Sequence, residues 1–255
     1  MDEEYFKQKI AIMKKQTTTH PKELELRIDE NLKDFENKIQ TKTKRVFVKD
    51  GIVDLNKYLN VPIKILWILK EANSPEDDLD DMRCCLSTLR DGNGIHSGWG
   101  STFKPITYCV YGIFNNQDWE EIPDVNGNPE VLECLKDIAY INIKKIAGGS
   151  KANPALVKQF YSEYKSLIHE QIKIIDPDVI IFGTSFIVFD SIDMSKFENF
   201  GDKVYEDKQK IHLHEYQFGN KLILATYHPN NRTISQKEYC NSIIDAVNNW
   251  KKRNN

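Results

Sequence analysis

The segment "VPIKILWILKEANSP" carries Ile63, Ile65, Leu66, Trp67, Ile68 and Leu69 almost without polar interruption, then stops at Asn73, Ser74 and Pro75. A strand with one wet face alternates apolar and polar side chains. A short continuous apolar run therefore reads as a strand covered on both faces, with the turn residues marking its end. "IAYINIKK" reads as a second strand, ending near Gly148 and Gly149, and "DPDVIIFG" as a third, Val179 to Phe182, closed by Gly183. "KIHLHEYQF" and "KLILATYH" read as a hairpin-type pair around Gly219 and Asn220.

Helical patterns lie between these runs. "ITYCVYGIFN" reads as a buried helix. Asn153 and Pro154 suit the cap and first position of a helix in which Val157, Phe160, Tyr164, Leu167 and Ile168 share a face. "SQKEYCNSIIDAVNNWKK" reads as a final helix with Ser235 as its cap. The first forty residues read as two helices. The second has Leu24, Ile28, Leu32, Phe35 and Ile39 at helical spacing, with Thr19 to cap it and Pro21 in its first turn. One apolar stripe predicts a helix packed on a body. Strands alternating with helices predict an α/β fold: a three-layer α/β/α sandwich with a mostly parallel central sheet. Residues 1–45 form an N-terminal helical extension in this reading, and residues 46–255 the α/β domain.

Composition narrows the function classes. Hydrophobic residues at 40% and charged residues at 29% describe a soluble globular protein, and no apolar run is long enough to span a bilayer. The start "MDEEYFKQK" is unlike a signal peptide, so a cytoplasmic protein without membrane association is expected. The net charge of −3 lacks the strongly basic character of many nucleic-acid binders, although a local basic groove can act within an acidic chain. The five cysteines, Cys84, Cys85, Cys109, Cys134 and Cys240, contain no CxxC pair. They read as reduced thiols of small buried residues, not as zinc or iron–sulfur ligands. "AGGSKAN" lacks the spacing of a phosphate loop, and no GxGxxG is present. The acidic run Glu76 to Asp81 reads as a solvated helix start.

In sheets of this kind, sites collect at the carboxyl ends of the strands. "KEANSP", "NIKKIAGGSKAN", "GTS" and "HPNNR" all follow strands and are expected to meet on one edge. Glu71 could orient and deprotonate a water there, with Asn73 holding the same water; the more ordinary reading is a solvated acid at a strand end and a turn residue. The Asn142 amide offers a donor and an acceptor to a polar ring edge, or is a satisfied buried amide. Lys144, Lys145 and Lys151 supply positive charge, or a solvated face. His228 can donate to developing negative charge, and Arg232 suits a phosphate. His212 and His214 alternate on a strand and could share a face as two metal ligands, but no clear third ligand lies nearby, and no metal is expected.

In their order, four stretches resemble the uracil-DNA glycosylase superfamily over roughly residues 60–250. "ILWILKEAN" resembles its first strand and the water-activating motif after it, in the Gly-Glu-Ala-Pro-Gly form of the iron–sulfur branch. "YINIKKIAGGSKAN" resembles the strand bearing the asparagine that reads the base. "IIDPDVIIFGTS" resembles the segment worded Pro-x-Val-Ile followed by Gly, and "ATYHPNNR" resembles the His-Pro-Ser motif. Lys70, Asn73 and Ser74 stand where the first motif has glycine, proline and glycine. Asn230 stands where the last has serine, and the cluster cysteines are absent.

The resemblance implies a uracil-DNA glycosylase-like fold and a monofunctional DNA glycosylase that needs no cofactor. It would flip a uracil or a modified base out of DNA and hydrolyse its N-glycosidic bond, in repair or in defence against modified phage DNA. Glu71, Asn73 and His228 would be catalytic. Asn142 would read the base, and one of Trp99, Phe103 and Tyr108 would stack on it. Lys144, Lys145, Lys151, Asn230, Asn231 and Arg232 would contact DNA. Two other readings are a DNA-binding protein that lost catalysis and a metal hydrolase using His212, His214 and His228.

Overall fold

The computed structural model describes residues 21–43, 47–73, 81–92, 94–149, 151–194, 197 and 200–254. The first of the two expected N-terminal helices, the cap at Thr19, the turn residues Ser74 and Pro75 and most of the acidic run 76–81 lie outside the described residues.

Helix α1 spans Pro21–Thr43, followed by strand β1 (Gly51–Ile52), helix α2 (Leu55–Asn60) and strand β2 (Ile65–Asn73). Helix α3 (Met82–Ser87) and the small strands β3 (Arg90–Asp91) and β4 (Gly94–Ile95) lead into helix α4 (Gly100–Asn115). A 3-10 helix (Pro129–Asp137), strand β5 (Ala139–Gly148), helix α5 (Pro154–Ile175), strand β6 (Val179–Phe182) and helix α6 (Phe186–Phe189) follow. The chain ends in strands β7 (Lys203–Lys210), β8 (Leu213–Phe218) and β9 (Lys221–Thr226) and helix α7 (Gln236–Asn254).

The main sheet has seven strands in the order β1-β5-β2-β6-β9-β8-β7. Its centre, β5-β2-β6-β9, is parallel throughout. Antiparallel strands complete both edges: β1 beside β5, and β8 then β7 beyond β9. The apolar runs occupy the parallel centre, where both faces are covered. Ile65, Trp67 and Leu69 enter one core, with Tyr140, Ile181, Leu224 and residues of α4, the 3-10 helix and α7. Leu66 and Ile68 enter the other, with Ile141, Ile180, Ile223 and residues of α1, α5 and α6. Alternate residues of one strand thus feed opposite layers, which makes three layers.

The helix signals act as their chemistry predicts. Asn153 Oδ1 accepts the Ala155 N–H at 2.9 Å with Pro154 opening α5, and Ser235 Oγ accepts the Glu238 N–H at 3.1 Å ahead of α7. On α1, Leu32, Phe35 and Ile39 are buried in the core shared with α5, and Lys38 pairs with Glu170 of α5 at 2.7 Å. Strand β7 has no apolar run to announce it. "KVYEDKQK" is mostly exposed and holds its place at the sheet edge through its pairing with β8.

Candidate active site

A cavity of about 630 Å³ opens where the ends of β2 and β5, the start of α4 and the loop after β9 come together. Lys70, Glu71 and Asn73 of β2 line it, with Tyr140 of β5 and His228 and Asn230 of the loop. Trp99 and Phe103 form an aromatic wall with Tyr140: their rings are 5.4 Å apart, and Phe103 and Tyr140 are 5.6 Å apart. Lys151 reaches the cavity from the segment ahead of α5 and is exposed.

An irregularity in β5 sets the position of Glu71. Glu71 lies in register with Lys144, but Asn73 lies in register with Gly148, so two steps along β2 are matched by four along β5. This bulge curls the chain, bringing the carbonyls of Ile146 and Ala147 to the Lys144 ammonium, at 3.0 and 3.3 Å. The same ammonium donates to Glu71 Oε2 at 2.6 Å. A Cβ at Gly148 would overlap the Glu71 carboxylate, so the absence of a side chain there makes room for it. Glu71 Oε1 carries no such bond to Lys144.

His228 is held by its own loop. Its Nδ1 accepts the Asn230 N–H at 3.1 Å, and its carbonyl accepts the Asn231 N–H at 2.8 Å. The Asn230 contact places the proton of the neutral ring on Nε2. Burial, reinforced by the charge of Lys70, pushes the ring's pKa down to about 4. At neutral pH the imidazole is therefore an uncharged donor on the cavity wall. The loop sits low on the sheet because of Gly183: a Cβ there would come within 2.8 Å of Leu69 Cδ2 and 3.1 Å of Pro229 Cδ. Ser185, in the unusual backbone conformation φ 65, donates its N–H to the Thr226 carbonyl at 3.2 Å, which ties the turn after β6 to the end of β9.

Several expected site residues stand elsewhere. Lys145 is a correction: only 1% exposed, it donates to Asp50 at 2.7 and 3.0 Å and to Gln171 Oε1 at 2.6 Å. It follows Lys144 on a strand, so it points to the opposite face, toward α5, and no phosphate can reach it. Burial lowers its pKa and Asp50 opposes that shift; a charge this deep persists only when paired. Tyr108 is a second correction. It lies five residues after Phe103, well round the helix from the cavity face. Its hydroxyl accepts the Val125 N–H at 3.1 Å, and its ring meets Trp119 edge-on at 5.0 Å.

Asn142 is 1% exposed and is not among the cavity's lining residues. It lies in register with Leu69, which does line the cavity, and on the same strand face as Tyr140. The Tyr140 hydroxyl donates to its Oδ1 at 3.4 Å, while its Nδ2 has no partner among the described residues. Asn231 Oδ1 accepts the N–H groups of Thr233 and Ile234, both at 3.1 Å, so that oxygen braces the loop. Arg232 is exposed.

His212 and His214 do not converge as ligands: His212 Nε2 lies 2.9 Å from Ser242 Oγ of α7, while His214 stacks on Phe186 at 4.4 Å. Among the described residues no group of three or more histidine, cysteine, aspartate or glutamate side chains could hold a metal ion. Cys109, Cys134 and Cys240 are buried, Cys85 is half-buried, and Cys84 is exposed, against the expectation of burial. No described helix is long and apolar enough to cross a membrane.

Three contributors were not expected from sequence to be site residues: Lys70, Tyr140 and Gly148. Tyr140 carried a signal, because it sits two residues before Asn142 on one strand and so shares its face. Compared with protein-family models and with curated proteins, the chain matches none.

Proposed function

We propose that this chain is a DNA glycosylase of the uracil-DNA glycosylase kind, which takes a uracil or a modified base into the cavity and hydrolyses its N-glycosidic bond. The observation that carries this reading is the meeting of Glu71 and an uncharged His228 on one cavity with an aromatic wall. In this mechanism the flipped base enters against Trp99 and Phe103. Glu71 Oε1 orients the attacking water, with Asn73 beside it, and the carboxylate charge favours the oxocarbenium character that develops at the sugar. Electrons of the breaking bond move into the base. The Nε2–H of His228 donates to the base oxygen where that charge collects, an interaction that strengthens in the transition state and so accelerates the reaction.

The Nδ2 of Asn142, without a partner among the described residues, lies behind the lining side chains and would meet an acceptor on the bound ring only once those side chains part. Lys151 and Asn230 line the cavity and Arg232 is exposed two residues after Asn230, and these three would meet the DNA backbone. The reaction requires no metal or organic cofactor. DNA repair or defence against modified phage DNA, in the cytoplasm, would be its setting.

A second reading, a DNA-binding protein on the same fold without catalysis, is favoured by one observation: Lys144 already occupies Glu71 Oε2 at 2.6 Å. The metal-hydrolase reading finds no support in the separated histidines. The experiment that decides is abasic-site formation on single-stranded and duplex oligonucleotides carrying uracil, hypoxanthine, or hydroxymethylated or glucosylated cytosine. Release of one of these bases supports the glycosylase. Tight binding with no release from any substrate supports the non-catalytic protein.

A further inference from the structure

Lys70 lines the same cavity as Glu71 and His228, and it stands one residue before the carboxylate on β2. The three lysines of the site are in different states. Lys144 is engaged by Glu71 and two carbonyls, and Lys151 is exposed. Lys70 is half-buried, and its side chain makes no hydrogen bond or salt bridge among the described residues. Beside that shared lining, its charge helps lower the pKa of His228, and Glu71 acts to raise its own. An amine that is partly desolvated and not held by a carboxylate is available as a nucleophile toward a carbonyl.

We propose that Lys70 captures the abasic product as an imine, which gives the site a lyase step beyond base excision. This rests on the glycosylase reading above and extends it past the monofunctional reaction. Base hydrolysis leaves a sugar whose ring-opened form carries an aldehyde at C1′. The lone pair of Lys70 Nζ adds to that carbon, and the carbinolamine loses water to give the protonated imine. The imine acidifies the hydrogen on C2′. Loss of that proton to water and rupture of the C3′–O bond expel the phosphate of the downstream strand and leave a C2′–C3′ double bond. Water then hydrolyses the imine and restores the amine. The balance is one aldehyde, one amine and one phosphate leaving group, with no oxidant or reductant. Burial lowers the pKa of Lys70, only partly offset by Glu71, which raises the share of free amine at neutral pH.

The test uses borohydride, which reduces an imine to a stable secondary amine. The full chain is incubated with duplex DNA carrying a preformed abasic site and, separately, with the base-bearing oligonucleotides, then reduced and mapped by peptide mass spectrometry. The expected result is a protein–DNA adduct on Lys70, and strand scission that falls to background in Lys70→Arg. Arginine keeps the charge but cannot form the imine, and the variant's thermal melt verifies its fold. An adduct mapped to Lys144, Lys151 or another amine overturns the proposal, as does no adduct with preformed abasic DNA. Base release without an adduct overturns lysine capture and leaves the glycosylase standing. An adduct on Lys70 from preformed abasic DNA, with no base released from any substrate, upholds capture and overturns excision.

Discussion

His228 owes its tautomer and charge state to neighbours that are mostly backbone and apolar surface. The Asn230 N–H selects its tautomer, and burial keeps it uncharged. Its ring should titrate with a midpoint of about 4, below the ordinary histidine value of about 6.5, when followed by proton chemical shift. A midpoint near 6.5 would remove the neutral-donor role. Because the folded-state pKa is depressed, the unfolded chain binds more protons between these two values. The contribution of His228 to stability is therefore present above about pH 6.5 and is lost as pH falls toward about 4. The histidine and its proline stood out in the sequence as a candidate site because they follow an apolar strand. The tautomer was not, since it depends on a loop contact that no residue spacing encodes. Lys144 and Lys145 make the same point: adjacent in sequence, one pairs with Glu71 of the cavity wall and the other with a buried aspartate, and only the strand's alternation separates them.

At the scale of elements, the bulge in β5 does two jobs. It brings carbonyls to Lys144, and it places Gly148 against the Glu71 carboxylate. Gly148→Ala should displace that carboxylate and reduce base release while the circular dichroism spectrum stays that of the parent. Full activity in this variant would show that the carboxylate position is unimportant. Beneath the bulge, Asp50, Lys145 and Gln171 form a buried polar network, and Asp50 also accepts the Asn142 N–H at 2.8 Å. Lys145→Met leaves Asp50 buried without its counter-ion and should cost about 3–5 kcal/mol in denaturant unfolding, whereas a cost near zero would mean that the network is dispensable. The central strands could be read from sequence because burial on both faces leaves an uninterrupted apolar run. Strand β7 could not: exposed at the edge, it has neither an apolar run nor a buried face to mark it. The bulge also escaped reading, because it is a mismatch between two strands and neither strand alone contains it.

For the whole molecule, the parallel centre explains why separated segments share one site. Each of β2, β5, β6 and β9 ends at the same edge, so the segments after them converge whatever lies between. That convergence was readable from the order of strands and helices, and Glu71, Trp99, Phe103 and His228 do line one cavity. Which side chains reach the cavity was less readable. Tyr108 falls away because helical geometry carries it past the aromatic wall, and Asn142 lies behind the lining residues. The central claim is that this edge performs hydrolysis with Glu71 at its centre. The most direct measurement is the single-turnover rate of free-base release at saturating protein, for the parent and for Glu71→Gln, on whichever oligonucleotide the parent processes. The account predicts a rate lower by roughly 10²–10⁴-fold in the variant, with DNA affinity retained. Equal rates in the two proteins would contradict it.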